Sequence, residues 1–157
     1  MNYQGVKKIA LFVLIFAISW QIVSAREDDI AAIQEVLLRN AAAFEKNDLA
    51  LAEKLWANDD SVVVFENGHA NFGWLDYKNN HLGPEMADMA EMKNIRFELS
   101  DIKIKTVSTL GYATFRYKIS ADQKDRHVEG SGLGTAVLEQ RGENWLIVHW
   151  HSSNPRK

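Results

Sequence analysis

The run Asn144-Trp145-Leu146-Ile147-Val148-His149-Trp150-His151-Ser152-Ser153 decides how the fold is read. It has the composition of a strand, and side chains alternate across a strand. Strict alternation places Trp145, Ile147, His149 and His151 on one face. Leu146, Val148, Trp150 and Ser152 then share the other. Both faces are apolar, so alternation alone leaves open which one lines a cavity. Two imidazoles pointing one way from an otherwise apolar strand suggest a pocket wall.

Working back from this strand, the C-terminal half reads as long strands joined by short turns. Arg126 to Gln140 carries Gly130, Gly132 and Gly134 at period two, baring the backbone on one face. Such a face is sharply bent or tightly approached. Tyr112 to Ser120 alternates, with Ala113, Phe115, Tyr117 and Ile119 together. In Arg96 to Val107 the apolar phase slips by one at Ser100-Asp101, the mark of a β-bulge. Arg141-Gly142-Glu143 turns into the final strand.

The N-terminal half is helical, with one hairpin. Asp28 to Lys46 spaces Ile30, Ile33, Val36, Leu37, Ala41 and Phe44 as one buried stripe. Asp48 can cap a second helix, Leu49 to Ala57. Ser61 to Glu66 and His69 to Phe72 flank Asn67-Gly68, a tight-turn signal. Trp74 to Leu82 predicts a third helix. Gly83-Pro84 is expected to interrupt it, with a further short helix over Glu85 to Met92.

The chain ahead of these elements is an address. Lys7 and Lys8 precede an uncharged apolar run, Ile9 to Val23, and Val23-Ser24-Ala25 suits cleavage. Residues 1–25 therefore read as a signal peptide, and 26–157 as one domain. The alternative is an uncleaved membrane anchor. A periplasmic or secreted location is expected, with no stable membrane insertion after cleavage. Loss of Lys7 and Lys8 takes the formal charge from −3 to −5. That acidity is a poor match to nucleic acid. The chain has no cysteine, so its core must hold it without disulfides.

Two helices, a hairpin, a further helix and four long strands make an α+β arrangement. Its order resembles the nuclear transport factor 2-like superfamily over residues 28–153. It resembles in particular the SnoaL-like branch, related to the association domain of calcium/calmodulin-dependent kinase II. The residues carrying the resemblance are His81-Leu82-Gly83-Pro84-Glu85 and the closing Trp145 to Ser153 run. The resemblance implies a cone-shaped, curved antiparallel sheet packed on the N-terminal helices, a cystatin-like α+β roll with a cavity at the wide end. It also implies a homodimer through the outer sheet face. Members include isomerases, dehydratases and non-enzymatic assembly domains, so the fold does not fix the activity.

The candidate chemistry centres on histidines. His149, His151 and His81 could act as general acid or base. Equally, they could be hydrogen-bonded structural residues. His149 and His151 could also hold a metal, with His81, His127 or Glu129 as third ligand. No motif completes that set, and the sequence predicts neither metal nor cofactor. Trp74, Tyr77 and His81 could form an aromatic side of the cavity mouth. His127 and Glu129, sharing a face with Ser131, could add polar groups. Glu85 lies four residues after His81 and would stack with it only in an unbroken helix. Arg116 is expected to be solvated, and Asp76, Asp101 and Glu129 are further acids that no motif fixes.

Three functions follow as expectations. The leading one is an exported dimer binding a small, partly apolar molecule in the cone. The second is an acid–base enzyme, such as an isomerase, dehydratase or hydrolase-like activity. The third is a protein–protein module.

Overall fold

The computed structural model describes residues 27–154. The expected signal peptide lies outside the described residues. Among them, no helix is long and apolar enough to cross a membrane.

Residues 27–45 form helix α1. Ile33, Leu37, Ala41 and Phe44 are its buried stripe, at the spacing of a helix face. Asn40 lies buried beside them. Helix α2, Leu49–Leu55, is capped by Asp48, which accepts from the Leu51 amide at 2.9 Å. It ends earlier than expected because Trp56 turns extended and bridges to Ile147. Strands β1 (Val63–Glu66) and β2 (His69–Phe72) form the expected hairpin. Asn67 and Gly68 both take positive φ, 51° and 84°, as a primed turn requires.

The next segment corrects the sequence reading. Helix α3 (Trp74–Tyr77), a π-turn (Lys78–Leu82) and helix α4 (Gly83–Met89) follow one another without a break. Leu82 (φ −61°, ψ −47°) and Gly83 (φ −63°, ψ −51°) are both helical. The π-turn lets the Gly83 amide donate to the Lys78 carbonyl. Pro84 then falls in the first turn of α4, just after the wider π-turn. His81 and Glu85 therefore ride on one helical path.

Strands β3 (Lys93–Val107), β4 (Leu110–Gln123), β5 (Arg126–Arg141) and β6 (Asn144–Ser153) complete the sheet. The order is β2-β1-β6-β5-β4-β3. Only β1 and β6 are parallel; the other neighbours are antiparallel. β3 shifts register between Ser100 and Lys103, with Asp101 at φ 52°, where the phase slip predicts a bulge. The glycine face of β5 is tightly approached. A Cβ on Gly134 would stand 2.1 Å from Phe115 Cε2, and one on Gly132 would stand 2.6 Å from the Tyr117 hydroxyl. These two glycines let the rings lie flat over β5.

β6 also departs from strict alternation. His149 pairs with Val137 but Ile147 pairs with Leu138, so Val148 is an extra residue. This bulge reverses the phase. Trp145 and Ile147 before it, and Trp150 and Ser152 after it, are all buried. His149 and His151 are turned to the outer face, away from the helices.

Candidate functional site

The parallel pairing of β1 with β6 brings the ends of both strands to one rim of the sheet. Register aligns Glu66 with Ser152, Ser152 with Gly134, and Gly134 with Phe115. Val62 and Val64 are buried two and four residues before Glu66. Alternation therefore carries the Glu66 carboxylate inward. The helical segment from Trp74 to Met89 covers this rim from the other side.

Between the layers lies a cavity of about 130 Å³. Glu66, Tyr77, Glu85, Tyr117, Trp150 and Asn40 contribute to its wall. A shallower apolar groove of about 340 Å³, with Met89, Met92, Ile95 and Val128, runs on from it. Glu85, Ile119 and Gly130 line both spaces. Gly130 is open on this side: a Cβ there would meet only Ile119, at 3.6 Å.

The polar groups at the inner end are held from outside. Ser152 Oγ donates to Glu66 Oε1 at 2.6 Å. His81 Nδ1 lies 2.9 Å from Asn71 Oδ1. An amide oxygen only accepts, so Nδ1 carries the proton. Asn71 is oriented in turn by its Nδ2, 3.3 Å from Asp76 Oδ2. Asp76 also accepts from the Phe72 amide at 2.9 Å and from Asn80 at 2.8 Å. His81 Nε2 is left pointing at Glu66 Oε2, 3.8 Å away.

Glu85 differs from Glu66 in having a buried carboxylate oxygen, Oε2, with no partner. Burial, with the Glu66 and Asp88 charges, pushes its pKa up to about 7. Burial and the same two glutamates beside the cavity, Glu66 and Glu85, raise the Tyr77 phenol well above its ordinary range. Tyr117 is raised by burial and by Glu66, and its hydroxyl donates to Asn154.

The sequence candidates separate on this geometry. Tyr77 and His81 stand together, ring centroids 5.5 Å apart. Trp74 packs behind them in the core, against Trp56 at 5.9 Å. His149 and His151 lie on the outer face, so the expected pocket wall is not theirs. His149 Nδ1 donates to the Val63 carbonyl at 2.9 Å, and burial lowers its pKa. His127 is exposed on that outer face, 2.8 Å from Asp122. Glu129 pairs there with Lys118 at 2.9 Å. Neither lines the smaller cavity, though Glu129 borders the adjoining groove, and the metal set built on His149 and His151 does not converge. Arg116 is exposed and pairs with Asp101 at 3.1 Å.

Glu66, Asn71, Tyr117 and Ser152 go unremarked as site residues in the sequence reading. Glu66 had a signal, since Val62, Val64 and Glu66 alternate toward one face. Ser152 had none, because its partner Glu66 is distant in the chain, and Asn71 had none, because its contacts with Asp76 and His81 form only when the helical segment folds back over β2.

Comparison with known proteins places the fold. The sequence profile of the SnoaL-like domain matches residues 33–157. Among curated proteins, none matches. A nuclear transport factor 2-like superfamily protein from Salmonella enterica serovar Typhimurium superposes with a TM-score of 0.73 at 21% identity, covering 86% of this chain and 94% of the other. A candidate dehydratase of the nuclear transport factor 2-like family from Streptomyces avermitilis gives 0.72 at 16% identity, covering 84% and 99%. A candidate ketosteroid isomerase from Shewanella frigidimarina gives 0.63 at 21%, covering 76% and 92%. At such identities the likeness is one of fold. With the profile match spanning most of its length, the chain belongs to the SnoaL-like domain family, and it shares the fold of nuclear transport factor 2-like proteins.

Proposed function

We propose that this protein is exported, dimerises through its outer sheet face, and binds a small, partly apolar molecule in the cone. The observation that carries the binding reading is the partnerless, buried Glu85 oxygen beside a cavity walled by Tyr77, Tyr117 and Trp150. A buried acceptor without a donor is costly unless something fills the space. The cavity alone is smaller than the ~300 Å³ at which ligand pockets usually begin. It suits a head group, while the adjoining apolar groove suits the rest of the molecule. The candidate isomerase and dehydratase of the same fold are consistent with a cone that admits an organic molecule. Export rests on the sequence of residues 1–25.

Gly130→Val tests the reading. The added side chain would project where cavity and groove meet, with no backbone in its way. Native mass spectrometry of the gently isolated protein should show a discrete small-molecule adduct on a dimer. Gly130→Val should lose the adduct and keep the fold. An adduct that survives the substitution, or none under any isolation condition, rejects the reading.

A further inference from the structure

We infer that Glu66, His81 and Glu85 form a binding site for one divalent transition-metal ion. One ligand atom from each lies within 4.8 Å of the other two. Ligands bound ~2.0–2.2 Å from one tetrahedral zinc ion stand about 3.3–3.6 Å from one another. Small side-chain rotations close the difference.

The stronger argument is what each side chain does with its remaining atoms. Glu66 uses Oε1 to accept from Ser152, leaving Oε2 toward His81. His81 uses Nδ1–H on Asn71, which leaves Nε2 as the ring atom facing Glu66, and a metal ion would take its lone pair there. Glu85 has a buried oxygen with no partner at all. Two electron-rich atoms facing each other at 3.8 Å repel unless something electropositive lies between them. The convergence of a third donor makes a metal ion a better fit than a shared proton.

The supports resemble those of a metal centre. A ligating histidine usually donates its other ring N–H to an oxygen that fixes its tautomer. Here Asn71 does so, held by Asp76, which is itself held by the Phe72 amide. His81 and Glu85 are four residues apart on the helical segment, and Glu66 comes from the rim of the sheet. Open coordination positions would face the cavity.

One imidazole and two carboxylates, without sulfur, suit zinc or manganese(II). Calcium would need six to eight oxygens, about twice the number of donors gathered here. Two carboxylates also balance the charge of a divalent ion. The ion needs no organic ligand in order to bind, so this inference and the small-molecule reading can fail separately.

The test is calorimetric titration of the chelator-stripped protein with zinc chloride and with manganese chloride. Saturable binding of one ion per chain is expected. Glu85→Gln and His81→Gln should abolish it. The His149→Ala/His151→Ala variant should bind as the unsubstituted protein does. No saturable binding, or binding undiminished by Glu85→Gln and His81→Gln, would overturn the site. X-ray absorption at the zinc edge of the unsubstituted protein covers variants that fail to fold. A shell of oxygens with a single imidazole supports the site; two or more imidazoles would place the ion on other histidines and refute it.

Discussion

His149 donates its Nδ1 proton to the carbonyl oxygen of Val63, 2.9 Å away, on the outside of the sheet. The bond joins β6 to its parallel neighbour β1, the pairing that carries Glu66 to the cavity rim. It exists because the Val148 bulge turns His149 outward. The imidazole sits half-buried, with its ring edge-on to Phe65 at 5.6 Å.

Burial lowers the His149 pKa from 6.5, against the Val63 bond, which raises it; the nearby His151 lowers it further. A depressed histidine is protonated more readily in the unfolded chain. Stability is therefore complete above pH 6.5 and is lost as pH falls from 6.5 through the folded-state value. Melting temperature should fall on acidification across this window. His149→Gln, which keeps a donor for Val63, should flatten the fall. A profile identical in both proteins would remove His149 as its source.

The irregularities at Asp101 in β3 and Val148 in β6 show how far alternation can be read. In β3 the slip is visible, because apolar Phe97 and Leu99 give way to Ile102 and Ile104 across polar residues. In β6 the bulge is hidden. Trp145 and Ile147 are apolar on one face, and Val148 and Trp150 on the other, so a change of phase leaves no trace. The fold survives that ambiguity, but the site does not, since it decides whether His149 or Trp150 meets the cavity. Gly83-Pro84 misleads for a different reason. The sequence shows a helix breaker, while the π-turn that absorbs it depends on packing around Leu82, Tyr77 and Met86. Ser152 becomes legible only when strands distant in sequence are placed in register, and Asn71 only when the following helical segment folds back on β2.

The glycines of β5 make a contrasting pair. Gly134→Ala would drive a Cβ to 2.1 Å from Phe115 Cε2. That ring packs on Trp150 at 4.9 Å and has little freedom to move. Overpacking of this kind costs about 1–3 kcal/mol. Gly130→Ala meets nothing nearer than 3.6 Å and should be neutral or slightly stabilising. Urea unfolding of the two variants checks this, and Gly134→Ala with Phe115→Leu should recover part of the loss. Equal midpoints for both single variants would contradict the close approach.

Asn40 should be costly to remove although it carries no charge. Its Oδ1 accepts from Trp56 Nε1 at 2.9 Å, with Asn40 1% and Trp56 1% exposed. Trp56 lies amid Trp74, Tyr77 and Trp150, at 5.9, 4.8 and 6.4 Å. Asn40→Ala strands a buried indole N–H, at a cost of about 1–3 kcal/mol before any packing loss. Tryptophan-monitored urea unfolding should show a lowered midpoint with unchanged slope. A midpoint within error of the unsubstituted protein would mean that the indole finds another acceptor.

The outer face tests the proposed dimer. Phe72 is 66%, Leu133 55%, Tyr112 45% and Phe65 41% exposed, on four strands of one sheet. Phe65 and Phe72 pack edge to face at 6.2 Å, forming one end of this apolar patch. Apolar groups gathered on one face are the mark of an interaction surface. Replacing both with glutamate would set like charges against each other across a twofold contact and remove its apolar area. Light scattering after size exclusion should report a dimer for the unsubstituted protein and a monomer for Phe65→Glu/Phe72→Glu. Circular dichroism should match, because neither side chain reaches the core. A double variant that remains dimeric would move the interface elsewhere, and an unsubstituted protein that stays monomeric at high concentration would remove it altogether.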